Sequence, residues 1–392
     1  MDFVDEYYAN KDLSLLKKLT VVIPTYNRNY YLSRCLWYHS HFPFKEIIVA
    51  DSSPEEKKVV NRETVRKLVE ERGANIQYLE YPPETEKYGG DIYRKWGDAV
   101  QHVETEYSQI CTDKEFLIPM TLCKFISFLD EHEDYDMAAG PRYDIKSSKS
   151  GNVEFFEAYP GRSLSIDYPD PLARLLVFSV SLYDTFSLSS LRRSHVHKRM
   201  YNKLFESGID DIRFGELGLE ILSVISSKSI YFPGDSQICR DIIKLVSSHK
   251  IKYSTPESSA TRYPLLNEYI QNGFYIKYLD CLSSCLAHEY LSLSSSGMTV
   301  KDAQDLMRVT ILNFQKIRSF FANPQSDISH CGGLILRYLP NEISTYIRRI
   351  LNRPAQSVLT LVDIPDEFQI ITQIITRTLY LHKMDEVIPL NL

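Results

Sequence analysis

The sequence predicts an α/β fold, a mostly parallel sheet flanked by helices, followed by an all-helical C-terminal domain. Three observations predict it. Through the first half, short apolar runs ending in polar residues alternate with amphipathic segments, the pattern of βα units wound into a parallel sheet. From about Ser254 the strand signals fade and helical periodicity replaces them. No apolar stretch reaches the ~18 residues that would place a helix across a bilayer.

The elements follow in order. Leu19, Val21, Val22 and Ile23, ended by Pro24, make a buried first strand, and Asn29–Ser40 has helical spacing. Glu46–Ser53 is a second buried strand, ending in Asp and Ser. The charged segment after Ser53 is a helix whose apolar face carries Val59, Val65, Leu68 and Val69, with Gly73 as its stop. Strands are expected at NIQYLEYP, YSQICTD and, as one fifth strand, MAAGPRYDI; helices at IYRKWGDAVQHV and PMTLCKFISFLDEHEDYD. Pro169 and Pro171 mark a loop before a helix. In the C-terminal third, Thr299-Val300-Lys301-Asp302 reads as a capping box opening a long helix.

Composition narrows the class. Of 392 residues, 44% are hydrophobic and 24% charged, an ordinary globular balance that excludes collagen-like, coiled-coil or largely disordered architecture. Lys plus Arg number 45 against 51 Asp plus Glu, and this net acidity argues against nucleic acid as a partner. The seven Cys are scattered without a CxxC pair, which excludes a zinc ribbon and reads as reduced core thiols of a cytoplasmic protein. The N-terminus is acidic and lacks a secretory apolar core.

Ligands of parallel sheets bind at the carboxyl ends of the strands, so Pro24–Arg28, Asp51–Ser53 and Thr112–Glu115 are the residues to inspect. Here VVIPTYNR, followed by EIIVADSS, resembles the start of a family 2-type glycosyltransferase of GT-A fold. Arg94-Lys95-Trp96-Gly97 sits where that family has Arg-Asn-x-Gly, and SQICTDKEFLIP where it has an Asp-x-Asp strand end. The resemblance covers Leu19 to Arg240 and is nearest to bacterial and archaeal surface-glycan variants. It implies a nucleotide-diphosphate sugar as donor, a glycan or lipid-linked acceptor hydroxyl, and inversion by direct displacement. Capsule or another surface polysaccharide is the implied biosynthetic setting. It divides the chain into an N-terminal extension (1–18), a GT-A domain (19–250) and a helical C-terminal domain (251–392).

The residues support roles of their own. Asp51, with Ser53 in the turn after it, can accept hydrogen bonds from base N–H groups, and Pro24, Thr25 and Tyr26 can border base and ribose. Arg28 and Arg94 suit phosphate oxygens. If Asp113-Lys114-Glu115 continues the strand, Asp113 and Glu115 share one side. Two carboxylates so placed suit Mg2+ or Mn2+ on a diphosphate, polarising the leaving group. The triplet departs from the family: Glu replaces the second Asp, and Lys114 can neutralise phosphate itself. The alternative is that Asp113 caps the helix starting near Pro119.

The acceptor hydroxyl needs a base. In the family it lies downstream at a helix start, and GIDDIRFGELGLEILSVI fits. Glu216, after a break at Phe214-Gly215, is the first candidate and Asp211 the second; the alternative makes Glu216 a first-turn acid favoured by the helix dipole. Gln237-Ile238-Cys239-Arg240 is similar to the Q-x-x-R-W of processive members, with Asp241 in place of Trp, and makes Arg240 a diphosphate candidate. Tyr183-Asp184-Thr185 is a candidate acceptor lining, and His195 and His197 read as part of a solvated basic turn. The helical domain is expected to serve as cap or homo-oligomer interface, or as a peripheral contact with the inner face of the membrane. Two other functions stay open: a non-catalytic nucleotide-binding scaffold and a sugar nucleotidyltransferase. The second is disfavoured because the loop after the first strand holds no Gly.

Overall fold

In a computed structural model the described residues are 3–86, 90–147, 153–158, 165–180, 188–241, 273–322 and 366–378. They form an α/β structure with a mostly parallel central sheet and a helical C-terminal region. The N-terminal βα alternation runs β1 (Leu19–Thr25), α2 (Asn29–His39), β2 (Glu46–Asp51), α3 (Glu55–Arg72) and β3 (Ile76–Glu80). It continues with α4 (Gly90–Gln101) and β4 (Tyr107–Ile110). These are the expected elements, within a residue or two at most boundaries. A short α1 (Phe3–Tyr8) precedes them. All seven residues of β1 are buried, which is why its sequence is nearly continuous in aliphatics. Helix α3 stops as expected at Gly73, which adopts φ 67°.

Beyond β4 lie β5 (Glu115–Leu117), α5 (Pro119–Glu131), β6 (Met137–Ala139), β7 (Arg142–Ser147) and β8 (Val153–Glu157). Next come α6 (Pro171–Val180), β9 (Leu191–Arg193), α7 (Ser194–Glu206), α8 (Ile212–Ser226), β10 (Ser229–Tyr231) and β11 (Ile238–Asp241). The main sheet has the order β10-β6-β9-β4-β1-β2-β3, parallel except for the two pairs made by β9. A second sheet, β5-β11-β7-β8, stands beside it.

The single fifth strand expected at MAAGPRYDI is corrected here. It is two strands in two sheets, β6 and β7, broken at Gly140-Pro141. Gly140 makes the switch possible: a Cβ there would lie 1.9 Å from the Asp235 carbonyl oxygen. Short strands such as β5, β9 and β10, three residues each, carry too little periodicity to be read from sequence.

The C-terminal region contributes α9 (Phe274–Leu293), α10 (Val300–Ala322) and α11 (Asp366–Thr378). Thr299 opens α10 as expected: its Oγ1 accepts from Asp302 N at 3.2 Å and donates to Asp302 Oδ2 at 2.7 Å. These helices share the cores of the α/β part. Tyr278, Leu282, Leu286, Ala303 and Met307 pack with residues of α4, α7 and α8. Phe368, Ile371, Ile374 and Ile375 join the core on the other side, with Val4 and Leu16 of the N-terminal segment. Phe368 stacks on Phe155 at 5.0 Å, and Tyr8 donates to Glu367 Oε1. No described helix is long and apolar enough to cross a membrane.

Candidate active site

The parallel pairing aligns the carboxyl ends of three strands: Thr25 lies opposite Asp51, and Asp51 opposite Glu80. The turn after β4 reaches the same place. Asp113 Oδ2 accepts from Thr25 Oγ1 at 2.8 Å, and Asp113 Oδ1 pairs with Arg28 Nη1 at 3.2 Å. Asp113 is buried while the Arg28 side chain is 48% exposed, so the pair leads from the core to solvent. The Asp113 charge raises the Arg28 pKa and keeps it protonated.

Residues 113 and 114 form a turn rather than continuing the strand. The expectation that Asp113 and Glu115 share one side of an extended segment is therefore corrected. Glu115 is buried, and its Oε2 accepts from Thr112 N at 2.8 Å. Asp113 does not cap the following helix either: the cap of α5 is Ile118, with no side-chain bond. Lys114 places its ammonium 4.5 Å from the Tyr31 ring centre. Burial, then the like charge of Arg28, push Lys114 below the ordinary lysine range. These contacts do not fit a divalent-ion site: the carboxylates turn to separate protein donors, and two cations flank the same turn.

Asp51 is fully buried at the end of β2. Its Oδ1 accepts from Ser53 N at 2.7 Å; its Oδ2 accepts from Asn61 Nδ2 at 2.7 Å and Tyr78 OH at 2.5 Å. Ser53 Oγ in turn accepts from Asn27 N at 2.8 Å, and Asn27 takes a left-handed φ of 53°. Asp51 and Ser53 thus fix the loop that carries Tyr26 and Arg28. Pro24 and Thr25 are buried at the end of β1, and Tyr26 is half-buried.

Arg94 is exposed on α4, whereas its neighbour Lys95 is buried. Lys95 Nζ donates to Thr25 O at 3.1 Å and Ser52 Oγ at 2.7 Å, and pairs with Glu86. Sequence reasoning missed this lysine. The signal was present: Lys95 lies at helical spacing among Ile92, Trp96 and Ala99, on the stripe that faces the core. Arg240 lies on β11, its guanidinium held by Asp144 at 2.9 and 3.0 Å. Below the turn, buried Arg34 pairs with Asp241 at 2.5 Å.

On the opposite side, α8 begins at Ile212, so Phe214-Gly215 is part of the helix rather than a break before it. Asp211 Oδ1 accepts from Phe214 N at 2.9 Å, the geometry of a helix N-cap. Gly215 lets α8 meet α4: a Cβ there would lie 2.6 Å from the Tyr93 ring. Half-buried Glu216 follows it, beside the helix that carries Lys95. His197 is not part of a solvated turn: it is buried, with Nδ1 2.8 Å from Ser108 Oγ. Tyr183-Asp184-Thr185 lies outside the described residues.

No family model and no curated protein matches the sequence. Among solved structures, TarS of S. aureus is similar with a TM-score of 0.45 and 13% identity, over 85% of this chain and 53% of that one. The present chain therefore spans about half of that TarS chain. TarS 1–349 in complex with UDP-GlcNAc gives 0.46 and 14%, over 85% and 87%. The mannosyltransferase PcManGT from Pyrobaculum calidifontis, in complex with GDP-Man and Mn2+, gives 0.35 and 12%, over 85% and 86%. Similarity this loose carries no argument about activity.

Proposed function

We propose that the chain is a glycosyltransferase that takes a sugar from a nucleoside-diphosphate sugar bound at the carboxyl ends of β1, β2 and β4. The observation that carries this reading is the convergence of Arg28 and Lys114 on the turn at residues 113–114. Arg28 and Lys114 meet there, and the Lys114 ammonium is depressed by burial and by Arg28. An anion restores what burial and like charge take away, and the diphosphate of a nucleotide sugar is such an anion. Arg28 is exposed enough to meet it, and Asp113 fixes its aim.

The remaining residues have roles to match. The loop Pro24–Arg28, pinned by Ser53 and Lys95, borders the nucleoside, with Tyr26 available to stack on the base. Asp51, its oxygens taken by Ser53, Asn61 and Tyr78, acts through the loop it sets rather than on the base itself. Glu216 is proposed as the base that removes the acceptor proton, with Asp211 holding the start of its helix. As diphosphate leaves, Arg28 and Lys114 stabilise its growing charge without reorganising. The Mg2+ or Mn2+ expected at Asp113 and Glu115 has no step here, because those carboxylates are engaged elsewhere. Arg94 stays a candidate contact for a phosphate from solvent, and Arg240 is better suited to holding β11 on β7. The proposed acceptor is a glycan or lipid-linked hydroxyl. Peripheral membrane contact and self-association through the helical region belong to the same proposal.

The test is calorimetric titration with UDP, GDP and CDP, each with Mn2+ or with EDTA. One nucleotide should bind under both conditions, and Arg28→Ala should weaken it roughly tenfold, about 1.4 kcal/mol. Glu216→Gln should retain nucleotide binding and lose sugar release from the matching nucleotide sugar by on the order of 10²-fold or more. Binding that vanishes in EDTA would return the diphosphate to a metal. Binding by the wild-type protein with no sugar release from any donor would leave a nucleotide-binding scaffold.

A further inference from the structure

Directly beneath the Asp113 turn lies a group of side chains that the proposed reaction does not use. Cys35 and His39 are one helical turn apart on α2, and Cys111 follows β4. All three are buried, and their potential ligand atoms lie within 4.8 Å of one another. Among the described residues, this is the one His, Cys, Asp or Glu group of three or more with that geometry.

We propose that Cys35 Sγ, Cys111 Sγ and His39 Nε2 form a binding site for Zn2+, separate from the nucleotide site. The tautomer of His39 supports this assignment. Its Nδ1 lies 2.8 Å from the Cys35 carbonyl oxygen, which can only accept, so Nδ1 carries the proton. The lone pair is then on Nε2, 3.9 Å from Cys111 Sγ. A backbone carbonyl on the distal ring nitrogen is the partner that orients a metal-binding histidine. With Zn–S of ~2.3 Å and Zn–N of ~2.0 Å, tetrahedral ligands stand roughly 3.6 Å apart. Cys35 Sγ lies 3.4 Å from Nδ1, so closing the site on Nε2 takes a rotation of the Cys35 side chain as well as the approach of Cys111.

The surroundings supply the rest of the coordination sphere. Cys111 Sγ lies 3.5 Å and Cys35 Sγ 3.6 Å from the Glu115 carbonyl oxygen, the nearest fourth donor. The Thr112 carbonyl lies 3.6 and 3.9 Å from the same sulfurs. Zinc would displace the 3.2 Å bond that Leu117 N donates to Nε2, and two thiol protons would leave for solvent. Two thiolates and a neutral imidazole select a soft or borderline cation over Mg2+ or Ca2+. Because the donors are buried, the ion would be acquired during folding. It would then hold α2, β4 and the 112–115 turn together, fixing the base from which Asp113 reaches Thr25 and Arg28.

The experiment is elemental analysis of the full chain refolded with Zn2+, then passed through EDTA in the native state. One zinc per chain should remain. Cys111→Ser should lower retention at least tenfold, whereas Cys285→Ser, on α9, should keep it. Should Cys111→Ser fail to fold, wild-type protein refolded with Co2+ should show thiolate-to-cobalt charge transfer in the near ultraviolet. Refolded wild-type protein without stoichiometric zinc and without that band overturns the proposal. So does zinc retained equally by folded Cys111→Ser. Nucleotide binding plays no part in either readout, so this site and the proposed activity fail independently.

Discussion

At Asp113, one carboxylate oxygen ties the turn to the last residue of β1 while the other aims a half-exposed arginine. Asp113→Asn should therefore loosen Arg28 and weaken nucleotide binding by roughly threefold to tenfold, with the fold intact, in the same titration. The aspartate was legible because it sits where a motif ends a strand. What the motif could not supply was backbone direction: the chain turns at residues 113 and 114, and alternation of side chains fails there. Lys95 was hidden for another reason. A lysine on an apolar stripe is easily read as a surface charge, yet here it satisfies the Thr25 carbonyl and Glu86 together.

Among elements, the first two strands were readable because buried parallel strands are aliphatic runs. The switch at Gly140 was not, since it depends on a backbone contact with Asp235, far away in sequence. Gly140→Ala should destabilise more than Gly215→Ala. The first drives a methyl into a carbonyl, the second into a ring edge that can tilt. Each should cost on the order of 1–3 kcal/mol or more, measured by urea unfolding. Helix α11 offers a second element-scale check. Phe368 is fully buried against Phe155 and Tyr143, so Phe368→Ala should cost about 3–5 kcal/mol. An unchanged urea midpoint in Phe368→Ala would show that α11 does not pack there in solution.

For the whole molecule, buried ionisable groups set how stability responds to pH. Burial, then the neighbouring Arg192, push His197 well below the usual histidine range; Arg192 itself is lowered by burial to about 10. The unfolded chain binds a proton at His197 that the folded chain refuses. This contribution is intact above the unfolded value of about 6.5 and is lost as pH falls below it, by up to about 1.4 kcal/mol per unit. His197→Asn should flatten that part of the urea midpoint between pH 7 and pH 5. An unchanged slope would mean that His197 is protonated when folded. Its place in a run with Arg192, Arg193, Lys198 and Arg199 made it look solvated; the packing of α7 against β4, with Tyr201 beside the ring, buries it.

The bond from Tyr8 to Glu367 spans 359 residues of sequence. Synthesis at about 5–20 residues per second puts tens of seconds between the two partners leaving the ribosome. Through that interval the aromatic face made by Tyr143 and Phe155 waits for Phe368, the residue that covers it. A nascent chain interrupted before α11 would present that face to any neighbour, so premature termination of this protein leads toward aggregation rather than toward a smaller stable fold.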